Sequence, residues 1–293
     1  MSNSSPYKKF AWNGFSLDVP KDWHLSFYDS TGDCQQLRLE DDESIRMEID
    51  WVTPKQKMQP RTVRKQYDKL SAQLISSGAE LEALEDLASG WIAFLYTMPD
   101  KRKLLAAFSL FDDNKRFCFI RVHFESASRR EPIRLMDVIS ESFTLHTEGP
   151  VPWKIYDLDF RSPEKFKLYN TSFKAGRKIF SFVWRFRRLF YIYCSLGDMA
   201  LRNKSLGEWS ADFLNSFPEI KGPRFVPDGE DGVRHVKTRR YPLGHIEEIL
   251  RWCFKYSVSC RYDEETNQII IVLFQYRSEK DLQRLLTPNR QQS

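Results

Sequence analysis

Apolar and polar residues alternate near the start of the chain, and the alternation stops at a proline. Phe15, Leu17 and Val19 alternate with polar residues, which is the two-residue period of a half-buried β-strand. Pro20 cannot donate a hydrogen bond to a neighbouring strand, so it ends the strand or places it at an edge. With the apolar patterns that follow, this predicts strands over 10–19, 23–28, 34–39 and 45–52.

The apolar spacing changes after Pro60. The next apolar residues are spaced four, three and four apart, at Val63, Tyr67, Leu70 and Leu74. That spacing forms one face of an amphipathic helix, predicted over 62–76 and bounded by Pro60 and Gly78. Further strands are predicted around 81–87, 90–99, 104–111 and 117–125, followed by a closing helix over 131–142.

A second and weaker copy of this order begins 143 positions later, where Pro163 corresponds to Pro20 and Phe166 to Trp23. Ser205 is followed by Glu208, which is the spacing of a capping box at a helix N-terminus. Strands are predicted over 153–160, 166–173, 178–184, 189–196, 233–241 and 268–276, a closing helix over 278–286, and a loop over 218–232. A strand is also predicted over 249–261, although 245–256 fits a helix as well.

A short segment rich in Gly and Pro, which includes Gly149 and Pro150, joins the two copies. The chain of 293 residues is long enough for two domains. We therefore predict domains over 1–148 and 149–293, each ordered as β-hairpins, helix, β-hairpins, helix. An antiparallel sheet flanked by helices satisfies that order, so the predicted class is α+β, with two tandem α/β/α sandwich domains.

The segment from Phe15 to Trp23, Phe-x-Leu-x-Val-Pro-x-x-Trp, resembles the opening motif of the PsbP-like superfamily, which includes the Ran-release factor Mog and DcrB-like proteins. Ser142 and Phe143 stand where that family has a Ser-Phe pair after its last helix. The resemblance covers most of 1–148 and is weaker in 149–293. It implies compact sandwich domains that act as assembly factors or bind proteins, without catalytic residues shared by the family.

The two halves of the chain differ in charge. Residues 1–150 contain 20 Lys and Arg against 23 Asp and Glu, a net charge of −3, whereas residues 151–293 contain 25 against 17, a net charge of +8. The positive half is compatible with an anionic partner, but it lacks the clustered basic footprint of a dedicated nucleic-acid-binding domain. A solvated basic surface is the simpler interpretation.

The cysteines and the N-terminus bear on the compartment. The five cysteines form no Cys-x-x-Cys pair, and three lie in apolar runs, which is typical of thiols in a reducing compartment. The N-terminus lacks the apolar core of a signal peptide. The longest apolar run, residues 91–98, is too short to cross a bilayer. These features predict a cytoplasmic protein.

The sequence contains no motif that indicates an enzyme. The five histidines are not paired at helical spacing, so no metal site is predicted, although a cluster of His245, Cys253 and Cys260 is conceivable. Neither a Gly-x-Ser-x-Gly motif nor a basic Gly-rich phosphate loop is present. We predict no cofactor and no catalytic residue.

The best candidate for an interaction site is the basic and aromatic segment from Arg177 to Tyr193. The predicted binding residues are Trp184, Arg185, Arg187 and Arg188, with Arg239 and Arg240 from a second basic stretch. Arginine beside aromatic residues occurs at protein-binding hot spots and on surfaces that bind single-stranded nucleic acid. In the alternative interpretation, the aromatic residues belong to the core and the arginines cap a solvated turn.

The sequence therefore predicts a non-enzymatic binding or assembly protein that recognises a protein partner. Specificity is expected from the hairpin around Arg185–Arg188 or from a groove between the domains. Single-stranded nucleic-acid binding by the basic half is the alternative, and a degenerate enzyme is a third hypothesis.

Overall fold

Two compact units make up the chain: unit 1 comprises residues 1–147 and 152–160, and unit 2 comprises residues 148–151 and 161–293. The computed structural model describes residues 5–29, 34–53, 59–85, 87, 90–111, 115–125, 128–220, 224–236 and 246–286. Antiparallel strands predominate over helices in these residues, which makes the class α+β. Within the described residues, no helix is long and apolar enough to span a membrane.

The elements of residues 1–162 follow the predicted order. The strands are β1 (Tyr7–Trp12), β2 (Phe15–Pro20), β3 (His24–Asp29), β4 (Cys34–Glu40), β5 (Ile45–Val52), β6 (Glu80–Leu84), β7 (Ile92–Thr97), β8 (Lys103–Phe111), β9 (Arg116–Phe124), β10 (Thr144–Leu145), β11 (Val151–Ile155) and β12 (Leu158–Ser162). The helices are α1 (Pro60–Ser76) and α2 (Arg130–Ser142). The helices predicted over 62–76 and 131–142 are confirmed.

Seven strands of unit 1 form one sheet in the order β3-β4-β5-β9-β8-β7-β6. In its central strands Ile49 lies opposite Ile120, and both are fully buried. Helix α1 packs Leu70 and Leu74 over the other face of the sheet, in the cluster that contains Tyr96. Successive side chains of a strand point to opposite faces of the sheet. Both faces of this sheet therefore carry apolar residues, because other elements cover each of them.

The strand predicted over 10–19 is two strands joined by a tight turn. Asn13 and Gly14 have φ of 41° and 101°, the left-handed conformations that favour an Asn-Gly pair in a two-residue hairpin turn. β1 and β2 consequently pair along their whole length. The prediction was wrong here because it followed the apolar alternation and did not use the Asn-Gly turn signal.

The strand predicted over 153–160 is also a hairpin. The chain reverses at Tyr156, which has φ of 51°, so β11 and β12 flank the turn. β11 pairs with β1 where Lys154 lies opposite Ala11, in a five-stranded sheet of order β10-β2-β1-β11-β12. Residues 152–160 therefore belong to unit 1, whereas the sequence prediction placed them in the second domain, which was expected to begin at 149.

An aromatic cluster closes unit 1 around Phe143. The Phe143 ring stacks on Phe111 and Phe15, with centroid distances of 4.8 and 5.8 Å. Ser142 Oγ accepts a hydrogen bond from the backbone N–H of Asp18 at 2.8 Å. The Ser-Phe pair and the opening motif, which together suggested a family, are therefore in contact, and packing accounts for their residue types.

Unit 2 is built around a five-stranded sheet. Its strands are β13 (Lys167–Lys174), β14 (Arg177–Trp184), β15 (Arg187–Ser195), β16 (Arg224–Asp228), β17 (Gly232–Val236), β18 (Lys255–Asp263) and β19 (Gln268–Tyr276). Its helices are α3 (Gly197–Ala200), α4 (Leu206–Asn215), α5 (Ile246–Arg251) and α6 (Glu279–Leu286). The main sheet has the order β13-β14-β15-β19-β18, β16 pairs with β17, and α4 packs Leu206, Ala211 and Leu214 into the core.

Several predictions in unit 2 change in detail. The segment predicted as a loop over 218–232 contains strand β16. A two-stranded ribbon can include Pro227, because an edge strand does not need every backbone N–H for pairing. The strand predicted over 249–261 begins as helix α5 and continues as β18, so the helical alternative was correct for its first part. The strand predicted over 233–241 is present as β17, and 237–241 lie outside the described residues.

Candidate interaction surface of unit 2

The predicted site lies at the tip of the β14–β15 hairpin. Trp184 pairs with Arg187 at the ends of the two strands, so the turn consists of Arg185 and Phe186. Arg185 has φ of 54°, a left-handed conformation of the kind that tight hairpin turns require. The fold therefore brings Trp184, Arg185 and Phe186 together at one end of the sheet.

Three cations surround the indole ring of Trp184. The guanidinium carbon of Arg187 lies 4.6 Å from the ring centroid and that of Arg185 lies 5.9 Å away, while Lys165 Nζ is at 5.6 Å. All three distances are in the range of a cation–π interaction. Lys165 and Arg185 form no salt bridge with a carboxylate among the residues that the structure describes.

Arg187 is part of a buried ion pair and does not face solvent. Its Nη2 lies 2.9 Å from Asp281 Oδ1, and the two side chains are only 14% and 3% exposed. Asp281 also accepts hydrogen bonds from the backbone N–H groups of Arg277 and Ser278, at 3.3 and 3.0 Å. Burial opposes ionisation, but these donors outweigh it and hold the pKa of Asp281 below its ordinary value. The Arg187 guanidinium is therefore already engaged within unit 2, and its binding to a partner stays a prediction.

Arg188 lies on the opposite face of the hairpin from Arg187, since successive side chains of a strand alternate. It donates a hydrogen bond from Nη1 to the backbone carbonyl of Glu219 at 3.1 Å. There it lines a cavity of about 300 Å³ together with Ser181 and Phe190. The structure thus separates Arg188 from the surface that Trp184 and Arg185 share.

Two of the predicted binding residues, Arg239 and Arg240, lie outside the described residues. His245 of the conceivable metal cluster also lies outside them. Within the described part of the chain, no group of three or more His, Cys, Asp or Glu is arranged to hold a metal ion.

Two exposed aromatic rings lie beside the hairpin tip. Phe186 is 55% exposed and Trp252 is 61% exposed. Cys253, which follows Trp252, donates its thiol hydrogen to the backbone carbonyl of Phe186 at 3.5 Å, so these two segments touch. The guanidinium carbon of Arg277 lies 5.7 Å from the Trp252 ring centroid. The turn before β18 and the start of α6 therefore meet the hairpin at its tip.

We group these side chains as one candidate surface, the tip surface, because the Cys253–Phe186 hydrogen bond joins the two segments. Its members are Lys165, Trp184, Arg185, Phe186, Trp252 and Arg277. On the preceding helix α5, Ile246 and Leu250 are exposed as well. The tip surface thus combines exposed apolar rings with cations held against them.

Burial shifts the pKa values of the five cysteine thiols upward. Burial raises the pKa of the Cys253 thiol although Arg187 and Arg251 act in the other direction. Burial also raises the pKa of Cys194, to about 11, and shifts the pKa of the remaining three cysteines upward. A cysteine nucleophile reacts as the thiolate, and a raised pKa disfavours that form.

Sequence reasoning missed Trp252, Arg277 and Lys165, which are distant from the hairpin along the chain and reach it only through tertiary packing. One signal was available for Trp252. Arg251–Trp252 is a basic and aromatic pair of the same kind as Trp184–Arg185. Because the sequence fitted both a helix and a strand in that segment, it did not predict which way the Trp252 side chain points.

Comparison with known proteins adds little to this geometry. No protein-family model and no curated protein matches the chain. Among solved structures, the immunity protein TplEi of T6SS from Pseudomonas aeruginosa, complexed with "L" peptide, is 11% identical over 97% of this chain and 95% of that chain, with a TM-score of 0.30. MucB is 10% identical over 94% of this chain and 91% of that chain, with a TM-score of 0.18. Superpositions this loose carry no argument about fold or function.

Proposed function

We propose that unit 2 binds a protein partner through the tip surface, and that the partner contributes an acidic segment with apolar side chains. The observation that carries the proposal is the pair of exposed rings, Phe186 and Trp252, beside cations that have no carboxylate partner in the described residues. Tryptophan and arginine are enriched at binding hot spots, where the ring fills a pocket and the charge fixes orientation.

The charge around the hairpin supports an acidic partner. From residue 165 to residue 197, through β13, β14 and β15, the sequence has eight Lys or Arg and no Asp or Glu. Two carboxylates near the tip are already engaged, Asp281 by Arg187 at 2.9 Å and Glu279 by Lys255 at 2.6 Å. An acidic segment would meet a surface of opposite sign, which speeds association and disfavours basic partners.

Selection of peptides from a random library by the full-length protein tests this proposal. We expect the selected peptides to carry Asp or Glu next to aromatic or aliphatic residues. Trp252→Ala and Arg185→Glu should each weaken their binding by about tenfold or more, because truncating a hot spot costs on the order of 2 kcal/mol. Fluorescence anisotropy of labelled peptides measures the affinities.

Tyr169→Ala is the matched control for Trp252→Ala. Tyr169 is 69% exposed in the same unit but lies outside the tip surface, so its removal should leave peptide affinity unchanged. Selected peptides without acidic residues would contradict the proposed partner. Equal losses in the two variants would contradict the location of the site.

Single-stranded nucleic acid is a second candidate, because bases stack on exposed rings while arginines contact phosphates. Anisotropy of labelled oligothymidine at several salt concentrations separates the two candidates. Nucleic-acid binding falls linearly with salt on logarithmic axes, and a loss in Trp252→Ala would place it at the tip surface. Absence of binding at low salt removes this candidate.

We also propose that the protein is not an enzyme. The raised pKa values of its cysteines support this for thiol chemistry. Competitive labelling with iodoacetamide at neutral pH tests that part, and we expect every cysteine to react more slowly than free cysteine. A cysteine that reacts faster than the free amino acid would overturn it.

We further propose that the two units are copies of one sandwich domain related to the PsbP-like superfamily. Corresponding strands occur in the same order, β3-β4-β5-β9-β8 in unit 1 and β13-β14-β15-β19-β18 in unit 2. Helices α1 and α4 each follow the third of these strands along the chain. An experimental structure of each unit tests the proposal, since two copies should superpose strand by strand in this order.

A further inference from the structure

Unit 1 contains a groove that the proposed function does not use. Its volume is about 700 Å³, within the range of small-ligand sites. The turn after β2, the β4–β5 hairpin, the end of β9 and the start of α2 line it. Four elements that are separated in the sequence thus converge on one concave surface.

Apolar residues form part of the groove's lining. Trp23, Phe124 and Leu135 line it and are otherwise buried, with 7%, 9% and 4% of their surface exposed. Within the described part of the chain, the indole N–H of Trp23 forms no hydrogen bond. The groove therefore offers an apolar surface to an occupant.

The strand ends contribute acidic groups. Arg46 is engaged by Asp41 and, at 3.2 Å, by Glu43, and backbone N–H groups with this guanidinium hold the pKa of Asp41 below its ordinary value although burial opposes them. Asp22 and Glu125 also line the groove. In the described residues neither of these two carboxylates forms a salt bridge.

Helix α2 contributes basic groups. Arg130 and Arg134 lie one turn apart on α2, line the groove and are exposed. Neither forms a salt bridge with a described residue. Glu131 lines the groove between them, so this wall is not uniformly basic. Asp22 interacts electrostatically with Lys8, and Glu125 with Arg46, which also lines the groove. The groove thus holds charges of both signs on different elements, around an apolar surface.

We infer that this groove binds a short polypeptide segment that carries a cationic and an anionic side chain. The cation would lie toward Asp22 and Glu125, the anion toward Arg130 and Arg134, and the intervening backbone would pass over Trp23. A segment with both charges satisfies groups of both signs at once, whereas a ligand of one sign is repelled by the lining groups of that sign. This inference concerns unit 1 and does not depend on the tip surface.

Isothermal titration of the full-length protein with end-blocked tetrapeptides tests the inference. The probe is Lys-Ala-Ala-Asp, and the comparison peptides are Lys-Ala-Ala-Lys and Asp-Ala-Ala-Asp. We expect the mixed-charge peptide to bind about tenfold more tightly than either comparison peptide. Unblocked tetra-alanine carries its two charges on the chain termini and not on side chains. If it bound as tightly as blocked Lys-Ala-Ala-Asp, the groove would recognise free peptide termini, which would contradict the inference.

Charge-reversal variants locate the binding. Arg134→Glu and Glu125→Arg should each reduce affinity for the mixed-charge peptide by about tenfold, because each puts a like charge opposite one charged side chain of the peptide. The double variant exchanges the two charges and should recover part of the affinity with the peptide reversed. Arg61→Glu is the control, since Arg61 is exposed on α1 and does not line the groove. Equal binding of all three blocked peptides, or no change in the single variants, would overturn the inference.

Discussion

Arg187 shows how a residue predicted to bind a partner can instead hold the binding surface in place. Its guanidinium stacks on Trp184 and pairs with the buried carboxylate of Asp281. Asp281 lies at the start of α6 and also accepts hydrogen bonds from the backbone N–H groups of the two residues that precede this helix. One ion pair therefore connects the hairpin tip to the helix next to Arg277, and the sequence could not predict it because the partners are 94 residues apart.

Asp281→Asn tests this connection. The substitution keeps the size of the side chain but leaves a buried guanidinium without its counter-charge, and breaking such a pair costs about 3 kcal/mol. We expect the free energy of unfolding at pH 7, measured with urea, to fall by about that amount. Asp212→Asn is the control, since Asp212 pairs with Lys204 on the surface and both are at least half exposed; its effect should stay below about 1 kcal/mol.

The same pair predicts a pH dependence. Because the pKa of Asp281 is lowered in the folded protein, its stabilisation is complete above the ordinary Asp pKa of about 3.9. It is lost as the pH falls through the folded-state value. The difference in unfolding free energy between wild type and Asp281→Asn should therefore shrink on acidification below about pH 4. A difference that grows on acidification would contradict the assignment.

Among the elements, those with strong local signals were predicted and those defined by tertiary pairing were not. The apolar spacing before Leu74 predicted α1, and the Ser205–Glu208 spacing predicted the start of α4. Both backbone-to-side-chain hydrogen bonds of that capping box are present. By contrast, nothing local specified that Trp252 turns toward Phe186. The difference is physical, because a cap is completed within one turn whereas the tip surface needs three distant segments.

Ser205→Ala tests the capping box. The substitution removes the acceptor for the backbone N–H of Glu208, now at 3.2 Å, and should lower the free energy of unfolding by about 1 kcal/mol. Ser205→Asp keeps an acceptor at the same position and should retain most of the stability. Chemical denaturation of the three proteins provides the measurement. An equal loss in both variants would mean that the cap itself contributes little.

For the whole molecule, the chain forms two compact units, and the extent of unit 1 depends on strand pairing that the predicted repeat does not encode. The hairpin of β11 and β12 begins the segment predicted as a second copy, yet β11 pairs with β1. Trp153 packs edge-on against Trp12, with ring centroids 5.2 Å apart, and both are buried. A boundary derived from sequence offset therefore falls before a segment that unit 1 uses to cover its own core.

Truncated chains test this arrangement. Residues 1–162 retain the hairpin, whereas residues 1–148 lack it and leave Trp12 without the ring that covers it. We expect the shorter chain to unfold with a free energy lower by on the order of 3–5 kcal/mol, comparable to removal of a buried tryptophan, and its tryptophan emission to shift to longer wavelength. Trp153→Ala in the longer chain is the control, because it removes the ring and keeps the strand pairing. If the two truncated chains were equally stable, the hairpin would not contribute to the stability of unit 1. The boundary at 148 predicted from the sequence would then be correct.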